Sequence, residues 1–372
     1  MTHNIAALIL AAGFSSRMGA FKPLLPFGGS SVIGTVVSSF RQAGVDHISV
    51  VVGWEAEKLQ PVLTQLQVTA VMNDHYEAGM FSSVLAGLRS LPEHIEGIFL
   101  LPVDTPLVTP GSIKAMLRRF RQTNAAVVYP AFQGRRGHPP LISGRHRQDI
   151  LAAGSGTLKT ALARLEPAIT VEVPDRGVLL DMDTPADYET LKTFSQGRAL
   201  PAREEAIALL KALQSSEPVI RHCLAVAATG RQLAEGLNRA GMDLNIAAVE
   251  TGCLLHDIAK GQPDHARCGA RVMERHGYPL LAGIVGAHMD LIFEETSCLD
   301  EAAIVFLADK LTHEGRVVSV DERFQPALQK LAGQPDKLVF VKQRLLSAYR
   351  IQAAVMEILG VCFRDDIKLP DN

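Results

Sequence analysis

Apolar residues in the first half of the chain fall in short, unbroken runs of strand length: Ile5–Leu10, His47–Gly53, Val68–Asn73, Gly97–Asp104, Ala125–Phe132 and Ile169–Pro174. Most are continuous Val/Ile/Leu stretches rather than alternations, the pattern of strands buried on both faces of a sheet. Between several of them apolar residues recur at helical spacing, over Val32–Ala43, Ser82–Leu91 and Gly111–Arg121, each bounded by Gly or Pro. This alternation predicts an α/β class, a mostly parallel sheet covered by helices.

After about Ser195 the pattern changes. Strand-like runs nearly vanish, and a 3.6-residue period takes over in Glu204–Leu213, Pro218–Ala240, Ile246–His256 and Ala302–Asp309. A last amphipathic stretch, Lys337–Leu359, places Val341, Leu345, Ala348, Ile351, Val355, Ile358 and Leu359 on one face. The second half therefore reads as all-α. Gln-Gly-Arg-Ala-Leu-Pro interrupts both patterns at 196–201, giving expected domains at 1–195 and 204–372 with a linker at 196–203. The length agrees: 372 residues exceed one ordinary core and suit two domains of roughly 150–200 residues.

With 47% hydrophobic and 20% charged residues, both halves can bury real cores. A formal net charge of −2 without a long basic run argues against nucleic acid as a partner and favours a small charged ligand. The five cysteines, Cys223, Cys253, Cys268, Cys298 and Cys362, are dispersed and never form Cys-x-x-Cys, so they read as reduced, mostly buried thiols. No apolar run approaches the roughly 20 residues of a membrane span, and no basic segment precedes an apolar one at the N-terminus. A cytoplasmic protein with no membrane partner is expected.

The first strand runs into Leu10-Ala11-Ala12-Gly13-Phe14-Ser15-Ser16-Arg17-Met18-Gly19, with Lys22 close behind. Small residues at the carboxyl end of a buried strand let backbone N–H groups approach a phosphate chain, and Arg17 and Lys22 add the charge a triphosphate requires. The loop has neither the Gly-Lys-Ser/Thr ending of a P-loop nor a G-x-G-x-x-G pattern. Asp104, at the end of another buried strand, is placed to hold Mg²⁺ against phosphate oxygens, and Asp183 can complete that site. Each is also an Asp before Thr-Pro, which taken alone is more often a helix-start signal than a ligand.

Five motifs in order converge on a family: Leu10–Gly19 with Lys22, Asn73 followed by Gly79-Met80-Phe81-Ser82-Ser83, Pro102-Val103-Asp104-Thr105-Pro106, Gly137-His138-Pro139, and Asp181-Met182-Asp183-Thr184-Pro185. Together they resemble the molybdenum-cofactor nucleotidyltransferases over about residues 4–193. The resemblance implies a Rossmann-like domain whose loop, Leu10, Ala11, Ala12, Gly13, Ser15 and Arg17, wraps an NTP with Asn73 and Ser82. It places catalysis on Lys22, which binds phosphates, and on Asp104, which binds Mg²⁺. Ala11-Ala12-Gly13 is similar to the loop of members that use CTP, whereas a Gly-Gly pair marks those that use GTP. The implied reaction joins CTP to molybdopterin-bound molybdenum cofactor, with molybdoenzymes or their chaperones as downstream partners. A transferase for another phosphorylated small molecule, such as a sugar phosphate or phosphocholine, is the alternative.

In the helical half, His222, the adjacent pair His256-Asp257, and Asp309 lie on three predicted helices, and His265 and His288 add two more imidazoles. Such side chains can converge on a divalent cation inside a bundle, and a His-Asp pair in an apolar helix is costly without a partner. The set resembles the HD superfamily of metal-dependent phosphohydrolases over roughly residues 204–325. His265 and His288 further resemble its two-metal subset. That likeness implies one or two divalent transition metals, iron or manganese, with Asp257 bridging and a bound hydroxide attacking a phosphate ester or nucleotide. Lys260 would contact the phosphate, and catalysis would rest on Asp257 and Lys260. The alternative is a sensor that binds a nucleotide without cleaving it.

Overall fold

The computed structural model describes residues 4–154 and 156–360, so Cys362 lies outside the described residues. The chain divides into two compact units, Met1–Gly197 and Arg198–Asn372.

In the first unit β1 (Ile5–Leu10) has every residue buried. It is followed by a ribbon of β2 (Pro26–Phe27) and β3 (Ser30–Ser31), then by α1 (Val32–Gln42), β4 (His47–Val52), α2 (Ala56–Gln65), β5 (Thr69–Met72) and α3 (Met80–Ser90). The unit continues through β6 (Gly97–Pro102), α4 (Pro110–Gln122), β7 (Val127–Phe132), β8 (Arg135–Arg136) and β9 (Leu141–Ser143). It ends with α5 (Arg147–Ala152), α6 (Leu158–Leu162), β10 (Ala168–Glu172) and α7 (Pro185–Gln196). The sheet order is β10-β7-β9-β6-β1-β4-β5, with β8 paired to β7. β1 lies parallel to both β4 and β6, and the register sets Leu10 beside Val51 and Pro102. Three strand ends are therefore flush at one edge, where ligands of open α/β sheets bind.

Alternate residues of β1 serve opposite faces. Ala6, Leu8 and Leu10 share a cluster with Phe81, Val84, Leu85 and Leu88 of α3. On the other face Phe40 of α1 meets Phe99 of β6 with ring centroids 5.5 Å apart. Two expectations need correction. β5 and β10 have no fully buried residue, because they are the sheet's two edges and are covered less than strands inside it. β9 runs antiparallel between β6 and β7, and three residues are too few to stand out as an apolar run.

The second unit comprises α8 (Arg203–Ala212), α9 (Glu217–Arg239), α10 (Ile246–Leu255), α11 (His265–Arg275), α12 (Pro279–Ala287), α13 (Glu301–Lys310), a hairpin of β11 (Thr312–His313) and β12 (Arg316–Val317), α14 (Val320–Lys330) and α15 (Pro335–Leu359). One apolar cluster spans it, from Ala206 in α8 to Val355 in α15. α10 and α13 are buried almost all round, as a central helix must be. The hairpin departs from the all-α expectation, its two-residue strands being too short to carry a period. Of the described cysteines, Cys223 and Cys253 are buried, Cys268 is half-buried and Cys298 is exposed, and all four are free thiols. No helix among the described residues is long and apolar enough to cross a membrane.

One glycine tests the β6–β9 junction. A Cβ at Gly144 would lie 1.8 Å from the Ile95 carbonyl oxygen, and the Gly144 N–H donates to the Glu96 carbonyl at 2.7 Å. Backbone cannot yield there without loosening the pairing of Gly97 with Ser143. Gly144→Ala should cost about 2 kcal/mol or more by overpacking. Thermal unfolding followed by circular dichroism should show the melting temperature of this unit falling by about 5 °C. An unchanged midpoint would contradict the packing described.

Candidate functional sites

The loop after β1 is pinned before it turns. The Ala11 N–H donates to the Val51 carbonyl at 2.9 Å, and the Trp54 N–H to the Ala12 carbonyl at 3.2 Å. Leu10, Ala11 and Ala12 are buried, while Gly13 has open space where a Cβ would point. Ser15 takes a left-handed conformation (φ 51°), and its Oγ accepts from the Lys22 N–H at 3.4 Å. This folds the chain back and brings Lys22 beneath the loop.

Two further segments arrive at the same point. The Val103 N–H donates to the Leu10 carbonyl at 3.1 Å, so Asp104 stands just past the flush end of β6. The Met182 N–H donates to the Asp104 carbonyl at 2.9 Å, which brings in Asp183. Lys22 Nζ lies 3.3 Å from Asp104 Oδ2 and 3.1 Å from Asp183 Oδ1, and Arg17 Nη2 lies 3.0 Å from Asp183 Oδ2. The Lys22 side chain is only 9% exposed, whereas that of Arg17 is 71% exposed. Burial pushes the Asp104 carboxyl above its ordinary value, against the opposing pull of Lys22. Burial also lowers His138, which faces the charges of Asp104 and Asp181, and so favours its neutral form.

The helix-start reading of Asp-Thr-Pro resolves differently at the two places. No helix begins at Asp104; α4 starts at Pro110 and is capped by Thr109. At Asp183 a helix does begin, but Thr184 caps it in a capping box with Asp187, leaving the Asp183 carboxylate to the two cations. Asn73 and Ser82 fall outside the charged cluster. Asn73 Nδ2 donates to Ser82 Oγ and Ser83 Oγ at 2.9 and 3.0 Å, and its Oδ1 accepts from the His75 N–H at 3.1 Å. These bonds hold the turn into α3.

In the second unit His222 projects from α9, His256 and Asp257 directly follow α10, His265 opens α11, His288 directly follows α12, and Asp309 sits in the last turn of α13. All six converge. His222 Nε2 is 3.1 Å from Asp309 Oδ1, His265 Nε2 is 3.1 Å from Asp257 Oδ1, and His288 Nε2 is 3.6 Å from the same oxygen. Two groups can each hold a metal ion, His222/His256/Asp257 and Asp257/His265/His288, with Asp257 common to both. His256 and His288 donate from Nδ1 to the Cys253 and Val285 carbonyls, both at 2.7 Å, which turns each Nε2 inward. His256 Nε2 is buried without a hydrogen-bond partner, 3.5 Å from Asp257 Oδ2 and 3.6 Å from Asp309 Oδ1. An orphaned ring nitrogen costs about 1–3 kcal/mol unless something coordinates it, so this donor set fits a divalent cation.

The carboxylates are held ionised. Burial would raise Asp257, but its contacts with His265 and His288 and the neighbouring His256 and Lys260 outweigh it and hold its carboxyl far below the usual range. Asp309 is likewise driven down: burial is outweighed by Lys310, His222 and His256. Burial lowers His288, keeping its Nε2 lone pair available. Lys260 Nζ is 3.0 Å from Asp257 Oδ2 with its side chain half exposed. Lys310 is a member of the cluster that the sequence did not suggest. It is buried, pairs with Asp309 and donates to the His288 carbonyl at 3.3 Å. A residue beside a ligand on a helix ordinarily points about 100° away, so nothing in the spacing marked it.

Residues 7–169 match the MobA-like NTP transferase domain and residues 219–313 the HD domain. A molybdenum cofactor cytidylyltransferase of Escherichia coli (strain K12) is 28% identical over 189 residues, covering 50% of this chain and 95% of that protein. The "Probable molybdenum cofactor guanylyltransferase" of Natranaerobius thermophilus is 29% identical over 147 residues, covering 40% of this chain and 69% of that protein. Among solved structures, a nucleotidyl transferase from Methanothermobacter thermautotroptrophicus is 26% identical, covering 52% of this chain and 98% of the other, with a TM-score of 0.47. The chain joins a MobA-like NTP transferase domain to an HD domain.

Proposed function

We propose that the first unit transfers a cytidylyl group from CTP to molybdenum cofactor with release of pyrophosphate, and that the HD unit hydrolyses a phosphate ester or nucleotide. The observation that carries the first reading is the buried Lys22 ammonium shared by Asp104 and Asp183 at the end of β1, beneath a loop of small residues. The cytidylyltransferase relative and the Ala11-Ala12-Gly13 form of the loop support CTP as the donor. We place the two domains at 1–195 and 204–372, with 196–203 as linker, and molybdoenzymes or their chaperones as recipients of the product.

Loop N–H groups and the exposed Arg17 take up the triphosphate, and Lys22 neutralises it from below. A phosphate oxygen of the acceptor forms a bond to the α-phosphorus as the bond to the bridging oxygen breaks, and that oxygen leaves with its electron pair on pyrophosphate. Asp104 and Asp183, whose oxygens already share one cation, are the residues that would hold Mg²⁺, which supplies charge neutralisation when bound. In the HD unit the five donors of the two groups, with Asp309 beside them, would hold two ions such as iron or manganese, which when bound activate water and polarise a phosphate. Lys260 offers its charge to the substrate phosphate.

Asp104→Asn keeps the shape of the strand end but removes a charge from the cation site. Turnover, assayed as pyrophosphate and dinucleotide cofactor formed from CTP, should fall at least about a hundredfold with little change in thermal unfolding. Near-normal turnover would move the metal elsewhere, and conversion of a different phosphorylated acceptor in place of molybdenum cofactor would replace the substrate assignment.

Asp257 belongs to both donor groups, so Asp257→Ala should empty both. Elemental analysis of the purified protein should find about two transition-metal ions per chain in the native form and close to none in the variant. Phosphohydrolase activity should vanish with the metal while cytidylyl transfer is kept, and chelation of the native protein should lower its melting temperature. Native protein that binds a nucleotide without metal and without cleaving it would make this unit a sensor.

A further inference from the structure

Three neighbouring parallel strands each deliver an aromatic ring beyond their carboxyl ends: Phe14 after β1, Trp54 after β4 and Tyr76 after β5. The Phe14 ring centroid lies 5.3 Å from that of Trp54 and 5.4 Å from that of Tyr76. Gly53 makes room for this group, since a Cβ there would come within 2.7 Å of the Tyr76 side chain. A cluster that served packing alone would bury its rings in one another. Here Phe14 remains 47% exposed and Trp54 40%.

Position gives the exposed rings a meaning. In the sheet β1 lies between β6 and β4; Asp104 follows β6, whereas Trp54 follows β4 and Tyr76 follows β5. The flush end of β1 thus has a charged flank and an aromatic flank, and the loop joining them contains both Arg17 and Phe14. A ligand lying across this end meets cations on one side and ring faces on the other. That is the polarity of a nucleotide, with phosphates at one end and a flat base at the other.

We propose that Phe14 and Trp54 form a stacking platform for the nucleobase of the bound NTP, a role that rests on the nucleotidyltransferase reading of this unit. Every base has a π-face, so the platform supplies affinity rather than choice among bases. The choice of CTP must then come from polar contacts to the base edge.

Trp54 is the chain's one tryptophan, so its emission reports on this place alone. CTP titrated into the full-length protein should quench it, whereas inorganic tripolyphosphate, which carries the phosphates without a base, should bind and leave it unchanged. By calorimetry, Phe14→Ala should weaken CTP about tenfold and tripolyphosphate less than about twofold, with Phe14→Tyr restoring CTP affinity. CTP that binds at full affinity while emission stays flat and Phe14→Ala is silent overturns the platform but leaves the nucleotidyltransferase reading standing. CTP that fails to bind in the calorimeter removes that reading, and the platform with it.

Discussion

The Lys22 ammonium is almost wholly removed from solvent, and an isolated charge in that position is destabilising by several kcal/mol. Two carboxylates from distant parts of the chain answer it. Meeting that requirement ties together the loop after β1, the end of β6 and the segment before α7, three pieces that share no local sequence. The flush register of β1 with its neighbours lets them meet, because it stops all three strands at one level. A one-residue slip of β6 would turn its outward residues inward and carry Asp104 away from the lysine.

The HD unit meets the same constraint on a larger scale. Two carboxylates are shared among four imidazoles and two ammonium groups, and all of these but His222, His265 and Lys260 lie almost wholly out of solvent. Matching is incomplete at one atom, His256 Nε2. A buried polar network with one unsatisfied member is worse than an apolar core, which is why that nitrogen points to a cation as the missing partner rather than to a structural role for the histidine.

What the sequence made legible follows from run length and contiguity. β1 and β6 are continuous apolar runs buried by helices on both sides, and their period and burial agree. β9 has three residues and the hairpin strands two each, too short for any period. The six side chains that converge in the HD unit stood out in the sequence because an apolar helix has no cheap use for a His-Asp pair. The aromatic flank was not: Phe14, Trp54 and Tyr76 share no spacing, and only the order β1-β4-β5 in the sheet assembles them. Asp104 and Asp183 were ambiguous, since the sequence does not say which residue caps a helix. Thr109 and Thr184 settle it by accepting backbone N–H groups themselves, which leaves both carboxylates for charge.

Both sites stand at the ends of regular elements, and the reason is the backbone. A helix leaves its last carbonyls without partners inside the helix. His256 follows α10 and His288 follows α12, and each satisfies one such carbonyl through Nδ1, so ending the helix also fixes the ring's tautomer and direction. The His288 carbonyl in turn accepts from Lys310, whose ammonium then reaches Asp309. In the first unit the unpaired groups belong to a strand end, where Ala11 and Ala12 take partners from Val51 of β4 and from Trp54 just beyond it and leave the following loop free to turn. In both units the backbone groups that regular structure leaves unpaired hold the site in place, so the side chains that meet there remain available for a ligand.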